Sequence, residues 1–395
     1  MILRLLLIVT MLILLYTTSF VLALYVILLQ CYQFWWMLLP KITSNGYNEK
    51  WPRAQITVII PARNEEKNIA TCLRSLAEQT YPASLLQIIV INDHSTDNTA
   101  QVVNDFPADN ILLIDLADHI TDPINSYKKK AIEIAISQAT GELIVTTDAD
   151  CTAPPKCIET LASVYLSYGT AFIAAPVKLI PADQKKRRSL LFVFQALDFL
   201  ALQGITGAAV HKRFHSMCNG ANLAYSKKAF YAVDGFKGID NIASGDDMLL
   251  MHKIFRRYPK NVLYLKSPDA IVSTEAAGSW RAFLNQRVRW ASKAEQYEDK
   301  RIAGVLLLVY ALNVLLLLFL TGCVFYSGWW KDALFLLFVK TLFEISFLLQ
   351  VARFYNMQRL LIWFPFLQPL HILYTVVAGF FGKFGKYSWK GRKVK

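Results

Sequence analysis

Charged residues are missing from long stretches near both ends of this 395-residue sequence. None occurs in residues 5–40, and the ranges 302–330, 333–354 and 360–381 are nearly free of them. A helix that spans a bilayer needs about 20 predominantly apolar residues. The sequence therefore predicts four membrane segments, one before and three after a charged middle region, and argues against a wholly water-soluble protein.

A signal-peptide cleavage site is missing as well. The N-terminal apolar run is far longer than the core of a signal peptide, which has about 7–15 residues, and no small-residue cleavage site follows it. Trp35 and Trp36 lie near its end, where interfacial aromatic residues are expected. We expect residues 1–40 to be a retained anchor, followed by a domain at 41–300, a transmembrane region at 301–382 and a basic tail at 383–395.

The six cysteines include no CxxC pair. Scattered cysteines indicate reduced, structural thiols in a cytosolic domain. His211 and His215 are four residues apart, but no third metal ligand lies near them in the sequence. We therefore predict that both histidines lie on the surface and bind no zinc.

Acidic residues are outnumbered, which leaves a formal net charge of +13. The last 13 residues hold six basic groups and no acid directly after an apolar segment, and "KKRR" at 185–188 lies beside another apolar run. Basic groups next to a membrane segment favour anionic headgroups on the cytoplasmic side. The expected partner is therefore a membrane and not a nucleic acid.

Short apolar runs alternate with amphipathic stretches in the middle region. The runs are rich in β-branched residues and bounded by turn formers, and they occupy residues 56–60, 87–91, 111–114, 142–147 and 171–175. Helical patterns lie between them, at 65–78, 96–104, 128–139 and 155–166. The alternation predicts an α/β domain with a mostly parallel sheet covered by helices on both faces.

Polar motifs follow three of the predicted strands, namely "PARNEE", "NDHSTD" and "DAD". Ligands of such sheets bind outside the carboxyl ends of the strands. Asp148 and Asp150 can share a hard divalent cation such as Mg²⁺ or Mn²⁺ with water and phosphate oxygens. Asp93 and the lysines of "YKKK" strengthen the expectation of a bound nucleoside diphosphate. The alternative for the lysines is a solvated helix start, although lysine at a helix N-terminus opposes the helix dipole.

Two further motifs come later in the chain, after the amide-lined turn "NGAN". Asp246 and Asp247 precede a helical pattern, where they can act as a general base or only stabilise the helix N-terminus. In "NQRVRW", Gln286, Arg289 and Trp290 share one face of a helix, and Arg287 is expected to point elsewhere. On that face, the Trp290 ring can stack on a sugar and the Arg289 guanidinium can bind phosphate oxygens. The alternative is an amphipathic helix that lies on the membrane surface.

Taken in order, these motifs resemble the membrane-integrated branch of glycosyltransferase family 2, which includes cellulose, chitin, hyaluronan and poly-N-acetylglucosamine synthases and ceramide glucosyltransferases. The resemblance covers roughly residues 56–290. It implies a GT-A fold, which is a Rossmann-like, mostly parallel α/β sheet, in a cytosolic domain flanked by transmembrane helices. It also implies an inverting hexosyltransferase that uses a nucleotide-sugar donor, expected to be a UDP-sugar, with Mn²⁺ or Mg²⁺.

The resemblance also assigns residues. Asp148 and Asp150 would serve the metal, with Asp150 the expected direct ligand, and Asp247 matches the second acid of the base motif. Many relatives have T-E-D where this chain has Gly245, Asp246 and Asp247, so either acid can be the base. The residues implied in binding the donor or acceptor are Ala62, Arg63, Glu65, Asp93, Lys129, Asp148, Gln286, Arg289 and Trp290.

The acceptor is expected to be a lipid hydroxyl at the cytoplasmic membrane face, because four apolar segments are few for a polymer channel. The alternatives are a processive polysaccharide synthase, completed by membrane partner subunits, and a non-enzymatic transporter or scaffold. Lys340 and Glu344, four residues apart inside an apolar segment, are interpreted as a helix-packing ion pair. Pro365 and Pro369 are expected to break the last segment into a re-entrant or interfacial helix.

Overall fold

The computed structural model describes residues 2–43, 53–120, 124–242, 245–293, 299–385, 388–389 and 392–393. Six of the 13 residues of the predicted basic tail lie outside these residues. A seven-stranded sheet forms the centre of the middle region, in the order β3-β2-β1-β4-β8-β6-β9. Its strands are β1 (Ile56–Ala62), β2 (Leu86–Asn92), β3 (Ile111–Asp115), β4 (Leu143–Thr146), β6 (Phe172–Ala174), β8 (Leu223–Ser226) and β9 (Val262–Tyr264).

Most neighbouring strands of this sheet are parallel, as the alternation of strands and helices predicts. Only β8 runs antiparallel to its neighbours β4 and β6. A smaller sheet has the order β5-β10-β7, and a two-stranded ribbon lies near the C-terminus. Their strands are β5 (Cys151–Thr152), β7 (Val177–Ile180) and β10 (Val272–Glu275), and β11 (Ser388–Trp389) with β12 (Arg392–Lys393).

Helices cover both faces of the large sheet. Those of the middle region are α2 (Ile69–Ala77), α3 (Thr99–Asn104), α4 (Tyr127–Gln138), α5 (Cys157–Tyr168), α6 (Leu190–His211), α7 (Lys227–Ala232), α8 (Met248–Arg257) and α9 (Trp280–Ala291). The flanking helices are α1 (Ile2–Leu38), α10 (Lys300–Phe325), α11 (Trp330–Phe354) and α12 (Phe364–Phe384). The second helix begins at Ile69 and not at residue 65, because Asn64 takes a left-handed conformation with a φ of 54° and a turn follows it.

Alternate residues of β1 point to opposite faces of the sheet, as strand geometry requires. Val58 and Ile60 pack in one cluster with Leu73 of α2 and Leu161 of α5. Ile59 belongs to the other cluster, whose members include residues of α4, α6 and the flanking helices α1 and α11. The α/β region and the flanking helices therefore share one continuous core on this face.

Within the described residues, five helices are long and apolar enough to cross a membrane. Four are the predicted segments, and the fifth is α6, which lies inside the predicted middle domain. It is also the most buried of the five, with 67% of its apolar window inside the protein against 17–33% for the others. Because α6 is followed by a strand of the large sheet, it ties that sheet to the flanking helices.

Two sequence-based expectations about the flanking helices can be compared with the structure. The ion pair is confirmed, since Lys340 Nζ lies 2.8 Å from Glu344 Oε1 and both side chains are buried. The break at the prolines is not observed, because α12 contains Pro369 in its interior. Pro365 lies in the first turn, where the missing N–H has no helical partner to lose.

The prediction that both histidines lie on the surface is wrong for His215. Its side chain is buried, and Nε2 lies 2.7 Å from the hydroxyl oxygen of Tyr32 in α1. The sequence spacing gave no sign of this contact, because α1 and His215 are brought together only by the folding of distant segments. His211 is partly buried.

Candidate active site

The loops after β1 and β2 meet at one edge of the large sheet. The backbone N–H of Asp93 donates to the carbonyl of Ala62 at 2.7 Å. Arg63 donates from NH1 to the Asp93 carbonyl at 3.0 Å, and the same nitrogen lies 3.8 Å from Asp93 Oδ1. Asp93 is buried, so its carboxylate is held at the strand end with a positive charge beside it.

Left-handed residues shape these two loops. Asn64 and His94 have φ values of 54° and 55°, a region that asparagine and histidine enter more readily than most residues. The Asn64 side chain accepts from the Thr96 N–H at 2.8 Å, and Glu65 donates its N–H to Thr99 Oγ1 at 2.8 Å. The "PARNEE" and "NDHSTD" loops are therefore bonded to each other and form one wall.

The "DAD" motif meets a lysine and the second acidic pair. Lys128 Nζ lies 2.7 Å from Asp148 Oδ1 and 3.2 Å from Asp246 Oδ2. Burial alone would lower the pKa of Lys128, but the neighbouring carboxylates outweigh burial and raise it above its ordinary value. Burial alone would raise the pKa of Asp246, but the positive charge of Lys128 outweighs burial and holds this pKa below its ordinary value. Lys128 and Asp246 are therefore both ionised at neutral pH.

Lys129, the lysine expected near the phosphates, points away from this cluster. Its Nζ donates to the carbonyls of Ile239 and Ile242, each at 2.6 Å, and burial lowers its pKa to about 8. Consecutive residues of a helix point in different directions, so only one lysine of the run can face the acids. In the described part of the chain that lysine is Lys128, which corrects the sequence-based choice.

Asp247 connects the "GDD" and "NGAN" motifs. Its Oδ1 accepts from the Met248 N–H at 2.7 Å, which caps α8, and its Oδ2 accepts from the Gly220 N–H at 3.0 Å. Both carboxylate oxygens are thereby fixed by backbone donors. The helix-capping interpretation and the active-site interpretation of this residue are compatible, because the cap also orients the carboxylate.

A set of possible metal ligands lies at the same edge. One ligand atom each from Asp148, Asp150 and Cys151 lie within 4.8 Å of one another. Burial and the neighbouring carboxylates raise the pKa of the Cys151 thiol well above its ordinary value, so it stays protonated and is a poor ligand. The two carboxylates remain, and oxygen donors of this kind fit Mg²⁺ or Mn²⁺.

The four polar or aromatic residues of "QRVRW" all lie at the same cavity. Gln286, Arg289 and Trp290 line it, as their shared helix face predicts. Arg287 lines it too, contrary to the expectation that it points elsewhere. Its guanidinium bonds Asp198 Oδ2, with both the Nε and NH2 distances at 2.8 Å. The missed signal is Asp198, the only acidic residue in the apolar helix α6.

These residues surround one cavity of about 1170 Å³. At the sheet edge it is lined by the acids and by the two loops, and the predicted site residues found there are Ala62, Arg63, Glu65, Asp93, Asp148, Asp150, Asp246 and Asp247. At its other end it is lined by the flanking helices, including Leu307 and Tyr310 of α10 and Gly379 and Phe380 of α12. A polar site and the apolar flanking helices therefore share one cavity.

Comparison with known proteins agrees with this arrangement. Residues 57–233 match the family "Glycosyl transferase family 2". A probable glycosyltransferase of Bacillus subtilis, YdaM, is 27% identical over 260 residues, which are 62% of this chain and 56% of that protein. The 4,4'-diaponeurosporenoate glycosyltransferase of Staphylococcus aureus is 38% identical over 130 residues, which are 33% of this chain and 32% of that protein. The chain thus spans less than two thirds of the length of these curated relatives.

A solved structure extends the likeness to nearly the whole chain. The mannosyltransferase PcManGT of Pyrobaculum calidifontis, in complex with GDP-Man and Mn²⁺, superposes with a TM-score of 0.59 at 18% sequence identity. The superposition covers 95% of this chain and 99% of that one. At this identity the likeness establishes the fold. Residues 57–233 of this chain therefore match a glycosyl transferase family 2 domain, and the chain has a GT-A fold flanked by helices long and apolar enough to cross a membrane.

Proposed function

We propose that this protein is an integral membrane hexosyltransferase that moves a sugar, with inversion, from a nucleoside diphosphate sugar to a lipid hydroxyl at the cytoplasmic membrane face. The observation that carries the proposal is the single cavity that joins the acidic cluster to the flanking helices. A soluble acceptor would need no opening towards apolar helices. A transporter or scaffold would need no acidic pair fixed beside a lysine.

The donor would bind at the sheet edge. Arg63 and Asp93 would hold the nucleoside, with Ala62 and Glu65 lining the same wall. The Pyrobaculum mannosyltransferase carries GDP-Man and Mn²⁺, which supports a nucleotide sugar with a divalent cation as the ligand. The expectation of a UDP-sugar comes from the sequence resemblance, so the assay should include both UDP-sugars and GDP-sugars as donors.

Asp148 and Asp150 would hold Mn²⁺ or Mg²⁺, with Asp150 the direct ligand. When bound, such a cation neutralises charge on the diphosphate as the bond to the sugar breaks. Lys128 already lies between Asp148 and Asp246, so its ammonium group can also approach the leaving diphosphate. Arg289, which also lines the cavity, would offer a guanidinium fork to the same oxygens.

Asp247 is the better candidate for the general base. Lys128 holds the pKa of Asp246 low, and a carboxylate of lower pKa is a weaker base. Asp247 would accept the proton of the acceptor hydroxyl while that oxygen attacks the anomeric carbon. The bond from that carbon to the diphosphate oxygen breaks in the same displacement, and the nucleoside diphosphate leaves with the electron pair. No covalent sugar intermediate on the protein is required.

The acceptor would enter from the bilayer. Leu307 of α10 and Phe380 of α12 line the cavity and are 67% and 50% exposed. Exposed apolar side chains on helices of membrane-spanning length face lipid, so the cavity is accessible from that side. Gln286 and Trp290 would contact the acceptor between this opening and the acids.

The proposal is tested with purified protein in detergent, Mn²⁺, UDP- and GDP-sugars and a panel of hydroxylated lipids. We expect a glycolipid that carries one sugar or a few. We expect Asp247→Asn to lower kcat by a factor of about 10²–10⁴ without weakening donor binding. Asp246→Asn should affect the reaction indirectly, through the loss of its ion pair with Lys128. Long sugar chains would favour the polysaccharide synthase, and donor binding without transfer to any acceptor would contradict an enzymatic function.

A further inference from the structure

A buried ion pair joins the "QRVRW" helix to the most buried of the apolar helices. Arg287 of α9 donates from Nε to Asp198 Oδ2 of α6 at 2.8 Å, and its NH2 lies 2.8 Å from the same oxygen. The Arg287 and Asp198 side chains are only 3% and 9% exposed. Charges in such a place are costly unless they are paired, so each residue depends on the other.

Arg287 also holds two residues of the face that lines the cavity. Its NH1 donates to Gln286 Oε1 at 2.9 Å. Its guanidinium carbon lies 4.2 Å from the centroid of the Trp290 ring, which is a cation–π contact. The same carbon also lies 4.8 Å from the centroid of the Phe283 ring. One guanidinium therefore fixes an amide and an indole, and Asp198 fixes the guanidinium.

Residues of α6 and α12 add further contacts to this arrangement. The Trp290 ring packs against Phe199, the neighbour of Asp198 on α6, at 6.4 Å between centroids. His371 of α12 lies 3.9 Å from the second oxygen of Asp198. The place of Trp290 in the cavity is thus set from α6, and not by α9 alone.

We propose that Asp198 and Arg287 are positioning residues that hold Gln286 and Trp290 in place as the acceptor subsite. This inference rests on the proposed function, because it assigns the pair to acceptor binding and not to the donor. Neither residue touches the acids that would carry the transfer. Their loss should therefore weaken acceptor use and leave donor binding intact.

The test compares three variants in the full-length protein. Asp198→Asn leaves Arg287 buried without its charged partner, so this variant tests the pair but is also expected to be less stable. The double variant Asp198→Asn with Arg287→Gln removes both charges, and Asp198→Glu keeps the charge as a conservative rescue. The matched control is Asp299→Asn with Arg301→Gln, which removes an arginine–aspartate pair with a 2.8 Å contact that lies outside the cavity.

Two measurements are made on each variant. In transfer assays we expect the double variant to lower kcat/KM for the acceptor by about tenfold to a hundredfold, because misplacement of a binding group is costly. Its KM for the donor should stay unchanged, and Asp198→Glu should restore most of the acceptor efficiency. In hydrogen-exchange measurements, peptides that cover α9 should exchange faster in the double variant than in the wild type. In the control variant, the same peptides should exchange at the wild-type rate.

The outcomes separate this inference from the proposed function. Equal loss for donor and acceptor, or a lower melting temperature with wild-type acceptor kinetics, would show that the pair is merely structural and would overturn the inference. Wild-type protein that transfers to no lipid would reject the proposed function and the acceptor assignment with it. In that case, hydrogen exchange of α9 still tests whether the ion pair positions Gln286 and Trp290. Unchanged exchange in the double variant would reject the positioning role too.

Discussion

Lys128 donates from Nζ to Oδ1 of Asp148 at 2.7 Å, across the gap between two acidic motifs that are about a hundred residues apart in the chain. The same nitrogen lies 3.2 Å from Oδ2 of Asp246. Asp247 lies next to this contact and is fixed by the backbone of Gly220. The lysine therefore balances the charge of a cluster that would otherwise repel itself.

Lys128→Met should lower transfer activity by a factor of about 10²–10³, since it removes a preorganised charge from the place where the diphosphate would leave. Lys128→Arg should retain part of the activity. The assay is kcat with saturating donor and acceptor. Lys130→Met is the control, because Lys130 lies in the same run but pairs with Glu133 at 3.1 Å on the surface. Equal activity of the two methionine variants would contradict the role given to Lys128.

Asp150→Ala should abolish tight Mn²⁺ binding, measured by calorimetry or by the Mn²⁺ paramagnetic resonance signal in the presence of nucleoside diphosphate. Cys151→Ala should bind Mn²⁺ as the wild type does, because burial keeps the thiol protonated and its pKa high. The pair of variants separates the oxygen donors from the sulfur. Loss of Mn²⁺ binding in the cysteine variant alone would show that the ligand assignment is wrong.

Acidification should destabilise the protein through His215. Burial lowers the pKa of His215 to about 4, whereas an unfolded histidine titrates near 6.5. The unfolded state therefore binds the proton first as pH falls, and stability is complete above about 6.5 and is lost progressively towards 4. The expected loss at pH 5 is about 2 kcal/mol.

His215→Gln offers a polar partner to Tyr32 and does not titrate, so it is the matched variant for this prediction. Its melting temperature in detergent should fall less than that of the wild type between pH 7.5 and pH 5. Parallel pH curves for the two proteins would mean that another group causes the acid sensitivity.

Gly204 marks a close contact between α6 and α11. A methyl group at this position would lie 2.4 Å from Val351 Cγ2 and 2.7 Å from Phe347 Cζ. Gly204→Ala should therefore destabilise the protein by about 1–3 kcal/mol through overpacking, measured as a lower melting temperature. Gly304→Ala is the control in α10, where a methyl group meets no neighbour within 4 Å. If both variants melt alike, the contact between α6 and α11 is looser than described.

The α/β architecture could be predicted because it depends on local patterns. β1 begins at Ile56, as predicted, and extends two residues further to Ala62. Its continuous apolar run is typical of a strand that is buried on both faces of the sheet. The polar motifs at the strand ends could be placed on one edge for the same reason. In a parallel sheet, every strand that points the same way ends at the same edge.

The choice between Lys128 and Lys129 could not be made from the sequence. Both lie in one run, and their directions depend on where α4 begins and on which residues surround it. The structure buries Lys129 against two backbone carbonyls and leaves Lys128 to the acids. Similarly, the sequence does not show which residue pairs with Asp198 in its apolar run. The folded structure identifies the partner as Arg287 of α9.

The sequence by itself determined four of the five long apolar helices, the order of strands and helices and the residue types of the site, because hydrophobic periodicity and turn chemistry act over a few neighbouring residues. Only the tertiary structure decided which lysine meets the acids, that Arg287 is paired with Asp198, and that the acidic cluster and the flanking helices share one cavity. Contacts between segments far apart in the chain depend on how whole elements pack, and short-range patterns carry no record of that packing.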